Sequence, residues 1–331
     1  MTDGLTPHVA QALAATKARI VITGAGGWLG MATLELLHAA LGDNVAHRVR
    51  CFGSSNRTLN LLGGTTVDQQ PLAELAALDP TPTIFLHLAF LTKDRAEEMD
   101  EQAYRAANDA LDGIVLNALS LIGVDSIFVA SSGAAYRADD PSASPAMRLY
   151  GSLKRDQEQR FIDWAETSGK RAVIARIFNI SGPHINKHGS YALAAFILDS
   201  LAARPITINA PHRVVRSYVA IRELMSLVFA LLLNGPAETS RFDTGGDPME
   251  MQAIAQTIAD LLGPVPMTRP PLDPATTDHY VGNAAAYRAL LASHSIDPVP
   301  FARQIIETAE FLALSVSPAA SHRVATAKQS C

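Results

Sequence analysis

Residues 19–41 constrain the fold more than any other part of the sequence. They open with the apolar run RIVITGAG, which ends in glycines, and continue into ATLELLHAAL, which has helical spacing. Glycines at positions 24, 27 and 30 allow a tight turn and let the backbone approach a pyrophosphate at the helix N-terminus. Their three-and-three spacing differs from the commoner two-and-three spacing, but a strand before and a helix after favour a nucleotide-binding turn over an ordinary glycine-rich loop.

Strand-like and helix-like segments alternate through the first half of the chain. Further strands are predicted at residues 47–55, 83–90, 126–133 and 171–180, and helices at 106–123 and around position 150. Strict alternation predicts an α/β fold of Rossmann type, with a doubly wound parallel sheet covered by helices on both faces.

The regular alternation of strands and helices ends after residue 180. There the connections lengthen and prolines cluster, as in GPVPMTRPPLDP. We therefore predict a dinucleotide-binding domain at residues 1–180 and a smaller C-terminal α/β domain that binds substrate, mainly from residues 181–316. Residues 317–331 are small and polar, which predicts a disordered tail.

Composition narrows the functional classes. The chain is 48% hydrophobic and carries a net charge of −5 with no run of Lys and Arg, so it can bury a core and does not resemble a nucleic-acid binder. Its two cysteines, Cys51 and Cys331, form neither a disulfide framework nor a metal-binding set. We expect no metal, no signal peptide, no membrane partner and a cytoplasmic location. The longest apolar run, LMSLVFALLL, is too short to span a membrane and predicts a buried helix.

Tyr150 and Lys154 lie four residues apart in a predicted helix, so their side chains share one face. Such pairs also arise by chance on amphipathic helices, but this one accompanies a nucleotide-binding turn. A phenol has a free pKa of about 10, and a nearby ammonium favours the phenolate. The pair can therefore move a proton while a nicotinamide cofactor moves a hydride, and the lysine can also hold the nicotinamide ribose. Ser132 ends the preceding strand, where its hydroxyl can hydrogen-bond a substrate oxygen.

The end of the second strand bears on the choice of cofactor. Chains that bind NAD normally carry an acid about twenty residues after the glycine turn, where it holds the adenosine ribose. The segment CFGSSNR has no acid there. Ser54, Ser55 and Arg57 suit the additional phosphate of NADP instead. We expect NADP, with NAD as the alternative.

Taken together, these motifs resemble those of the extended short-chain dehydrogenase/reductases, in particular the nucleotide-sugar epimerases, dehydratases and reductases. The resemblance covers about residues 19–312. TGAGGWLG is similar to the glycine motif of that family, YGSLK to its Tyr-x-x-x-Lys, and SSGAAY to its catalytic serine strand. The resemblance implies catalytic roles for Ser132, Tyr150 and Lys154.

The resemblance also implies binding residues and an oligomeric state. With the second-strand residues included, the expected cofactor contacts are Gly24, Gly27, Trp28, Leu29, Gly30, Ser54, Ser55, Arg57, Asp68, Leu88, Ala89, Phe90, Asn108, Tyr150, Lys154 and Phe178. The expected substrate contacts are Ser132, Asn179, Arg216 and Arg269, the two arginines on a diphosphate. Family members often form homodimers through helices near residues 95–122 and 150–168, and exposure of Phe161 and Trp164 in a monomer would be costly.

Departures from the family pattern limit the reaction. Gly133 and Ala134 stand where dehydratases carry an Asp–Glu pair, which argues against 4,6-dehydration. Leu111 and Asp112 replace the usual Gly and Thr near Asn108. His87 is interpreted as a hydrogen-bonded core residue.

Four hypotheses follow from the sequence. The leading one is an NADP(H)-dependent reductase that acts on a keto group of a nucleotide-activated sugar. The second is a nucleotide-sugar 4-epimerase that retains NAD. The third is a dehydrogenase or reductase of a small sugar acid, aldehyde or ketone. A non-catalytic NADP sensor is the least favoured, since both Tyr150 and Lys154 are present.

Overall fold

A computed structural model describes residues 4–235, 238–314, 316 and 318–329. The chain divides into two compact units. The first contains the residues up to Ile177 together with Met225–Asp243, and the second contains Phe178–Leu224 and the residues from Thr244 onward. The division thus begins close to the predicted boundary at residue 180, but the return of the chain to the first unit was not anticipated.

Strands and helices alternate up to Ile177, as predicted. The strands are β1 (Arg19–Thr23), β2 (Val49–Gly53), β3 (Arg57–Asn60), β4 (Thr66–Pro71), β5 (Thr83–His87), β6 (Val124–Ser132) and β7 (Arg171–Ile177). The helices are α1 (Pro7–Ala15), α2 (Trp28–Leu41), α3 (Asn44–Arg48), α4 (Lys93–Glu98), α5 (Glu101–Leu119) and α6 (Pro145–Ser168), with short 3₁₀ helices at Leu72–Ala77 and Gly133–Arg137.

Short strands and longer helices make up the rest of the chain. The strands are β8 (Ile180–Ser181), β9 (Ile206–Thr207), β10 (His212–Arg216), β11 (Val219–Ala220), β12 (Ser240–Asp243), β13 (Met249–Glu250), β14 (Met267–Thr268) and β15 (Asp273–Tyr280). The helices are α7 (Ala192–Leu201), α8 (Ile221–Asn234), α9 (Met251–Leu262), α10 (Ala284–Ser293), α11 (Phe301–Ala313) and α12 (Pro318–Gln329).

The first unit is built on one sheet with the strand order β12-β7-β6-β5-β1-β2-β4-β3. Every neighbouring pair is parallel except β3 and β4, which form an antiparallel hairpin. The order reverses beside β1, so the topological switch point lies at the carboxyl ends of β1 and β5, at Thr23 and His87. The predicted doubly wound parallel sheet is confirmed, and ligands in such sheets bind at this edge.

The core of the first unit packs helices α5 and α6 against the sheet. Val21, Phe85, Val115 and Phe161 belong to one buried cluster, and Trp164 packs against it while remaining partly exposed. The expectation that Phe161 would be exposed in a monomer is wrong, because its ring is 0% exposed in the single chain. Phe161 therefore stabilises the core, and its burial is not evidence for or against dimerisation. The homodimer remains a prediction.

The second unit contains a small sheet in which β10 pairs with β13 antiparallel and with β15 in parallel. Helices α7, α9, α11 and α12 pack together within this unit. Helix α12 corrects the predicted disordered tail for residues 318–329, while residues 317, 330 and 331 lie outside the described part of the chain. Val324 and Ala327, three residues apart, are buried on one face of α12, and Arg323 Nη1 donates to Ser200 O at 2.9 Å.

Two further findings apply to the described residues. None of the helices in the described ranges has both the length and the apolar character needed to cross a membrane. Those ranges also contain no group of three or more His, Cys, Asp and Glu side chains that could hold a metal ion. The run LMSLVFALLL lies in α8 and is almost entirely buried, as predicted. Cys51 is buried, and Cys331 lies outside the described residues.

Replacing Phe161 by Ala should lower the free energy of unfolding of the first unit by about 3–5 kcal/mol, because it leaves a cavity in the core. Both tryptophans of the chain, Trp28 and Trp164, lie in this unit, so urea unfolding followed by tryptophan fluorescence measures the effect. Leu121→Ala is the control, since Leu121 is 57% exposed and its loss should change stability by no more than about 0.5 kcal/mol. Equal effects of the two substitutions would contradict this account of the core.

Candidate active site

The glycine turn joins β1 to α2, as the sequence predicts. Gly24 has a φ of +72°, and a Cβ built on it would lie 2.7 Å from the backbone nitrogen of Ala89. A Cβ on Gly30 would lie 2.4 Å from the carbonyl oxygen of Ala25. Both contacts are too short for a side chain, so only glycine lets the turn close against its neighbours.

Helix α2 presents its N-terminus at this turn. Its N-cap is Gly27, no side chain caps it, and its first turn, which begins at Trp28 and Leu29, contains no acidic residue. The first N–H groups of a helix have no partners within the helix, and the helix dipole favours negative charge there. The turn and the helix end therefore form a cradle that suits a pyrophosphate.

Arg57 lies against the glycine turn. A Cβ built on Gly26 would lie only 1.2 Å from Arg57 Nη2, so the guanidinium group occupies the space directly over this glycine. Ser54 and Ser55 are exposed in the turn that follows β2, and Ser55 O accepts a hydrogen bond from Gln69 Nε2 at 3.0 Å. Two hydroxyls and one cation thus lie at the carboxyl end of β2.

Asp68 does not lie at the end of its strand. It is exposed in the middle of β4 and accepts a hydrogen bond from Thr58 Oγ1 at 3.0 Å across the β3–β4 hairpin. Strand β3 was not predicted from the sequence, so the antiparallel partner of Asp68 was missed. The expected contact of Asp68 with the cofactor remains a prediction.

The segment after β5 lines the glycine turn. Leu88 N donates to Thr23 O at 3.1 Å, which brings Ala89 beside Gly24. Asn108 is 1% exposed; its Oδ1 accepts from Leu91 N at 2.9 Å and its Nδ2 donates to Tyr104 O. Asn108 therefore holds this segment through its side-chain oxygen, while its amide nitrogen bonds back to its own helix, α5.

The side chains of Tyr150 and Lys154 both lie beside the ring of Phe90. Helix α6 begins after Ser144, whose hydroxyl accepts from Met147 N, and it carries both side chains. Lys154 Nζ lies 3.7 Å from the centre of the Phe90 ring, and the Tyr150 ring lies 5.8 Å from the same ring in an edge-on arrangement. The predicted Tyr–Lys pair thus shares one aromatic neighbour, which comes from the segment beside the glycine turn.

Ser132 lies at the end of β6, at the carboxyl edge of the sheet. It is 8% exposed, and its Oγ accepts from Ala134 N at 3.2 Å. A Cβ on Gly151 would lie 2.1 Å from Ala134 O, so helix α6 packs directly on the backbone that follows Ser132. This close packing brings the helix of Tyr150 against the segment of Ser132.

The ammonium group of Lys154 is buried and hydrogen-bonded. Nζ donates to Ala130 O at 2.8 Å and to Gln157 Oε1 at 2.9 Å, and the residue is 4% exposed. Burial lowers the pKa of Lys154 to about 7, against the opposing influence of the Asp112 and Glu158 carboxylates. The charge of Lys154 is therefore sensitive to its neighbours near neutral pH.

A buried polar cluster that the sequence analysis missed lies behind Lys154. Asp112 Oδ1 accepts from Gln157 Nε2 at 2.6 Å and lies 3.1 Å from His87 Nε2. His87 is fully buried, and its Nδ1 lies 2.8 Å from Thr23 Oγ1, which confirms its interpretation as a hydrogen-bonded core residue. The replacement of the usual Thr by Asp112 was the available signal, because an acid within an apolar helix face needs partners.

A second buried pair joins α6 to β7. Arg176 donates to Glu158 through Nε at 2.8 Å and Nη2 at 2.7 Å, and Ser131 Oγ donates to Glu158 Oε1 at 2.5 Å. The hydrogen bonds with Glu158 raise the pKa of Arg176. This bidentate pair ties helix α6 to the sheet one turn beyond Lys154.

The second unit contains Phe178, an expected cofactor contact, and three of the expected substrate residues, Asn179, Arg216 and Arg269. Phe178 N donates to Thr244 Oγ1 at 3.0 Å, and its ring lies 4.8 Å from that of Tyr280. Asn179 is 9% exposed, and its Nδ2 donates to Ser217 O at 3.1 Å. The side-chain amide is therefore oriented by the backbone.

The two expected diphosphate arginines each pair with an acid on a strand next to β10. Arg216 is the last residue of β10 and pairs with Asp278 at 2.5 Å. Arg269 pairs with Glu250 at 2.8 Å and donates to the carbonyl oxygen of His212, the first residue of the strand. Glu250 lies opposite Val215 in the β10–β13 pair, and Asp278 lies on β15. The structure thus gives each guanidinium its own acidic partner.

The family of the chain is decided by a match over residues 20–242 to the family model described as the NAD dependent epimerase/dehydratase family. The chain belongs to this family. The matched region contains the glycine turn, Ser132, Tyr150 and Lys154.

Relatives by sequence are distant. The chain is 22% identical over 276 residues to UDP-glucuronic acid decarboxylase 6 of Arabidopsis thaliana, a match that covers 74% of this chain and 75% of that protein. It is 28% identical over 121 residues to decarboxylase 3 of the same plant, where the match covers 35% of this chain. The chain spans about a third of the length of decarboxylases 3 and 5.

Similar solved structures include two sugar-nucleotide epimerases. A UDP-N-acetylglucosamine 4-epimerase from Methanobrevibacter ruminantium, in complex with UDP-N-acetylmuramic acid, matches with a TM-score of 0.69 at 18% identity and covers 90% of this chain and 99% of that chain. A UDP-glucose 4-epimerase from Thermus thermophilus in complex with NAD matches with a TM-score of 0.64 at 21% identity, covering 90% and 100%. At these identities the likeness shows the fold.

The first unit of this epimerase/dehydratase family member fits a nicotinamide dinucleotide. Side chains on Gly24 or Gly30 would clash with the turn, and the uncapped N-terminus of α2 is suited to phosphate. The Tyr150–Lys154 pair and Ser132 lie at the same carboxyl edge of the sheet, where ligands of doubly wound folds bind.

Gly151→Ala should destabilise the first unit and weaken dinucleotide binding, because the added methyl group would overlap Ala134 O and displace α6. Gly113→Ala is the matched control: it also lies in a helix, nothing lies within 4 Å of its Cβ position, and alanine should stabilise it by about 0.8–1 kcal/mol. Unfolding by urea and dinucleotide titration measure both effects. A Gly151→Ala protein as stable as the control would contradict the close packing of α6.

Proposed function

We propose that the protein is an NADP(H)-linked oxidoreductase that reduces a keto group of a nucleotide-activated sugar. The observation that carries the proposal is the convergence of Tyr150 and Lys154 on Phe90, in the segment that packs against the glycine turn. A proton donor and a dinucleotide cradle at one edge of the sheet are what a carbonyl reduction requires.

The side chains have distinct tasks in this reaction. A bound nicotinamide cofactor would supply a hydride to the carbonyl carbon. Tyr150 gives its phenolic proton to the carbonyl oxygen, and the Lys154 ammonium favours the phenolate that remains. Ser132 orients the carbonyl oxygen by a hydrogen bond, since its hydroxyl lies at the end of β6 where the sheet presents its ligand-binding edge.

The preference for NADP rests on Arg57. Its guanidinium lies over Gly26, and the turn after β2 contributes the exposed hydroxyls of Ser54 and Ser55 without an acid to bind ribose hydroxyls. A guanidinium binds phosphate through two charge-assisted hydrogen bonds. A cofactor that leaves after each turnover is commonly the phosphorylated one, which is consistent with a reductase.

The substrate class rests on charge and on the relatives. Arg216 is partly buried beside Tyr280 and pairs with Asp278, whose carboxylate a diphosphate would replace. The relatives named above act on or bind UDP sugars according to their descriptions. These observations favour a nucleotide sugar over a small aldehyde or ketone.

A nucleotide-sugar 4-epimerase is the second candidate, and two similar structures are 4-epimerases. Such an enzyme would use the same residues to oxidise and reduce one carbon, with NAD retained throughout. Denaturing the purified protein and identifying any released dinucleotide by mass spectrometry separates the candidates. Stoichiometric NAD supports the epimerase and contradicts the reductase. An empty protein that prefers NADPH and oxidises it in the presence of a keto nucleotide sugar supports the reductase.

Arg57→Ala should weaken NADPH binding by about tenfold or more and leave NADH binding unchanged, because a charged hydrogen bond contributes about 1.5–3 kcal/mol. Fluorescence titration with both dinucleotides measures the two affinities. Arg105→Ala, which removes an exposed arginine paired with Glu101 on α5, is the control and should change neither affinity. Equal losses for NADPH and NADH in Arg57→Ala would contradict the role of Arg57 in selecting the phosphate.

Tyr150→Phe should reduce turnover by about 10²–10⁴-fold, because it removes the proton donor and retains the ring. Cofactor affinity should be unchanged, since the contact between the ring and Phe90 remains. Turnover is followed as NADPH oxidation with keto nucleotide sugars. Normal turnover in this variant would contradict the role of Tyr150 as the proton donor.

A further inference from the structure

A chain of buried polar groups leads from Lys154 to helix α5. Lys154 Nζ donates to Gln157 Oε1 at 2.9 Å, and Gln157 Nε2 donates to Asp112 Oδ1 at 2.6 Å. The three residues are between 1% and 4% exposed. Two further donors face Asp112: His87 Nε2 at 3.1 Å and Arg160 Nη1 at 3.3 Å. The Tyr–Lys motif by itself does not predict any of these contacts.

The chemistry of the groups fixes the orientation of the Gln157 amide. A carboxylate can only accept hydrogen bonds, so the NH₂ of Gln157 must face Asp112. Its oxygen is then left to face Lys154, whose ammonium can only donate. Asp112 therefore determines which end of the amide meets the lysine, and thereby gives Nζ a defined acceptor.

The protonation states are consistent with this arrangement. Burial lowers the pKa of His87, although its contact with Asp112 opposes this, so the ring is neutral and donates from Nε2. Burial raises the pKa of Asp112, but the hydrogen bonds from His87 and Gln157 and the nearby Lys154 outweigh it and hold the pKa below its usual value. Asp112 is thus an anion that accepts from two neutral donors, His87 and Gln157, and from the Arg160 guanidinium.

The other carboxylate near Lys154 is already compensated. Glu158 lies on α6 one turn after Lys154 and accepts two hydrogen bonds from Arg176 and one from Ser131. The groups whose charge acts on Lys154 are thus Asp112 on α5 and Glu158 on α6, with His87 at the end of β5. Asp112 pairs with the partly exposed Arg160 at 3.3 Å, a longer contact than either hydrogen bond between Arg176 and Glu158.

We propose that Asp112 is a positioning residue, a buried counter-ion that holds the Lys154 ammonium in its catalytic place through the side-chain amide of Gln157. The inference rests on the proposed function for the task it gives Lys154, which is to favour the phenolate of Tyr150 and to bind the cofactor ribose. Asp112 itself touches neither Tyr150 nor the dinucleotide cradle.

The test follows the titration of Lys154 directly. The chain has six lysines, so protein labelled with ¹³C at lysine Cε shows six side-chain signals, and Lys154→Arg identifies one of them. In Asp112→Asn we expect the midpoint of the Lys154 titration to fall by about one unit or more, because an opposite charge that stabilised the ammonium is gone. NADPH affinity should then be lost at a lower pH than in the wild-type protein.

Asp109→Asn is the matched control. Asp109 lies one turn before Asp112 on α5 and accepts from the same Arg160 at 2.6 Å, but it is exposed and does not contact Gln157. Its replacement should leave the Lys154 titration unchanged. A folded Asp112→Asn protein with the wild-type midpoint, or an equal shift in Asp109→Asn, would overturn the proposal.

Gln157→Met keeps the proposal testable if Asp112→Asn does not fold. It retains both charges and removes the amide that links them, so the Lys154 midpoint should fall and NADPH should bind more weakly. An unchanged midpoint and affinity would overturn the link through Gln157. The titration needs no substrate, so a shifted midpoint in a protein that reduces no keto sugar would refute the proposed function and leave the inference about Asp112 standing.

Discussion

The burial of one positive charge, the ammonium of Lys154, organises the site of this protein. A buried ammonium is tolerated only where acceptors and carboxylates surround it. Here Ala130 O at the end of β6, Gln157 Oε1 and the ring of Phe90 meet the charge. Each of these groups comes from a different element. Stabilising the buried ammonium therefore also requires β6, α6 and the segment after β5 to lie close together, beside the glycine turn.

The same constraint explains the acids and glycines around the site. Asp112 and Glu158 stabilise the charge of Lys154, and Arg176 neutralises the second of them. Gly151 lets α6 approach the backbone after Ser132 closely enough for Lys154 to reach the end of β6. Tyr150, Lys154 and Ser132, which we propose as proton donor, activating cation and carbonyl-orienting residue, are therefore positioned by packing and electrostatics together.

Much of the fold and of the site was predictable from local pattern. The alternating segments predicted the parallel sheet, and glycines beside a strand end predicted the turn. Tyr150 and Lys154 were recognisable because their spacing puts them on one helix face. The exposure of Phe161 was predicted wrongly, since helical spacing alone does not reveal which face of α6 meets the core. Helix α12 was missed because the buried residues described on it, Val324 and Ala327, are small.

Residues close together in the chain are enough to predict the strand-turn-helix unit, the parallel sheet, the Tyr150–Lys154 pair and Ser132. The partners of Lys154, the position of Arg57 over Gly26 and the acidic partners of Arg216 and Arg269 are visible only in the folded structure. These depend on elements far apart in sequence, and hydrogen bonds and close contacts act over a few ångströms in space whatever the separation along the chain.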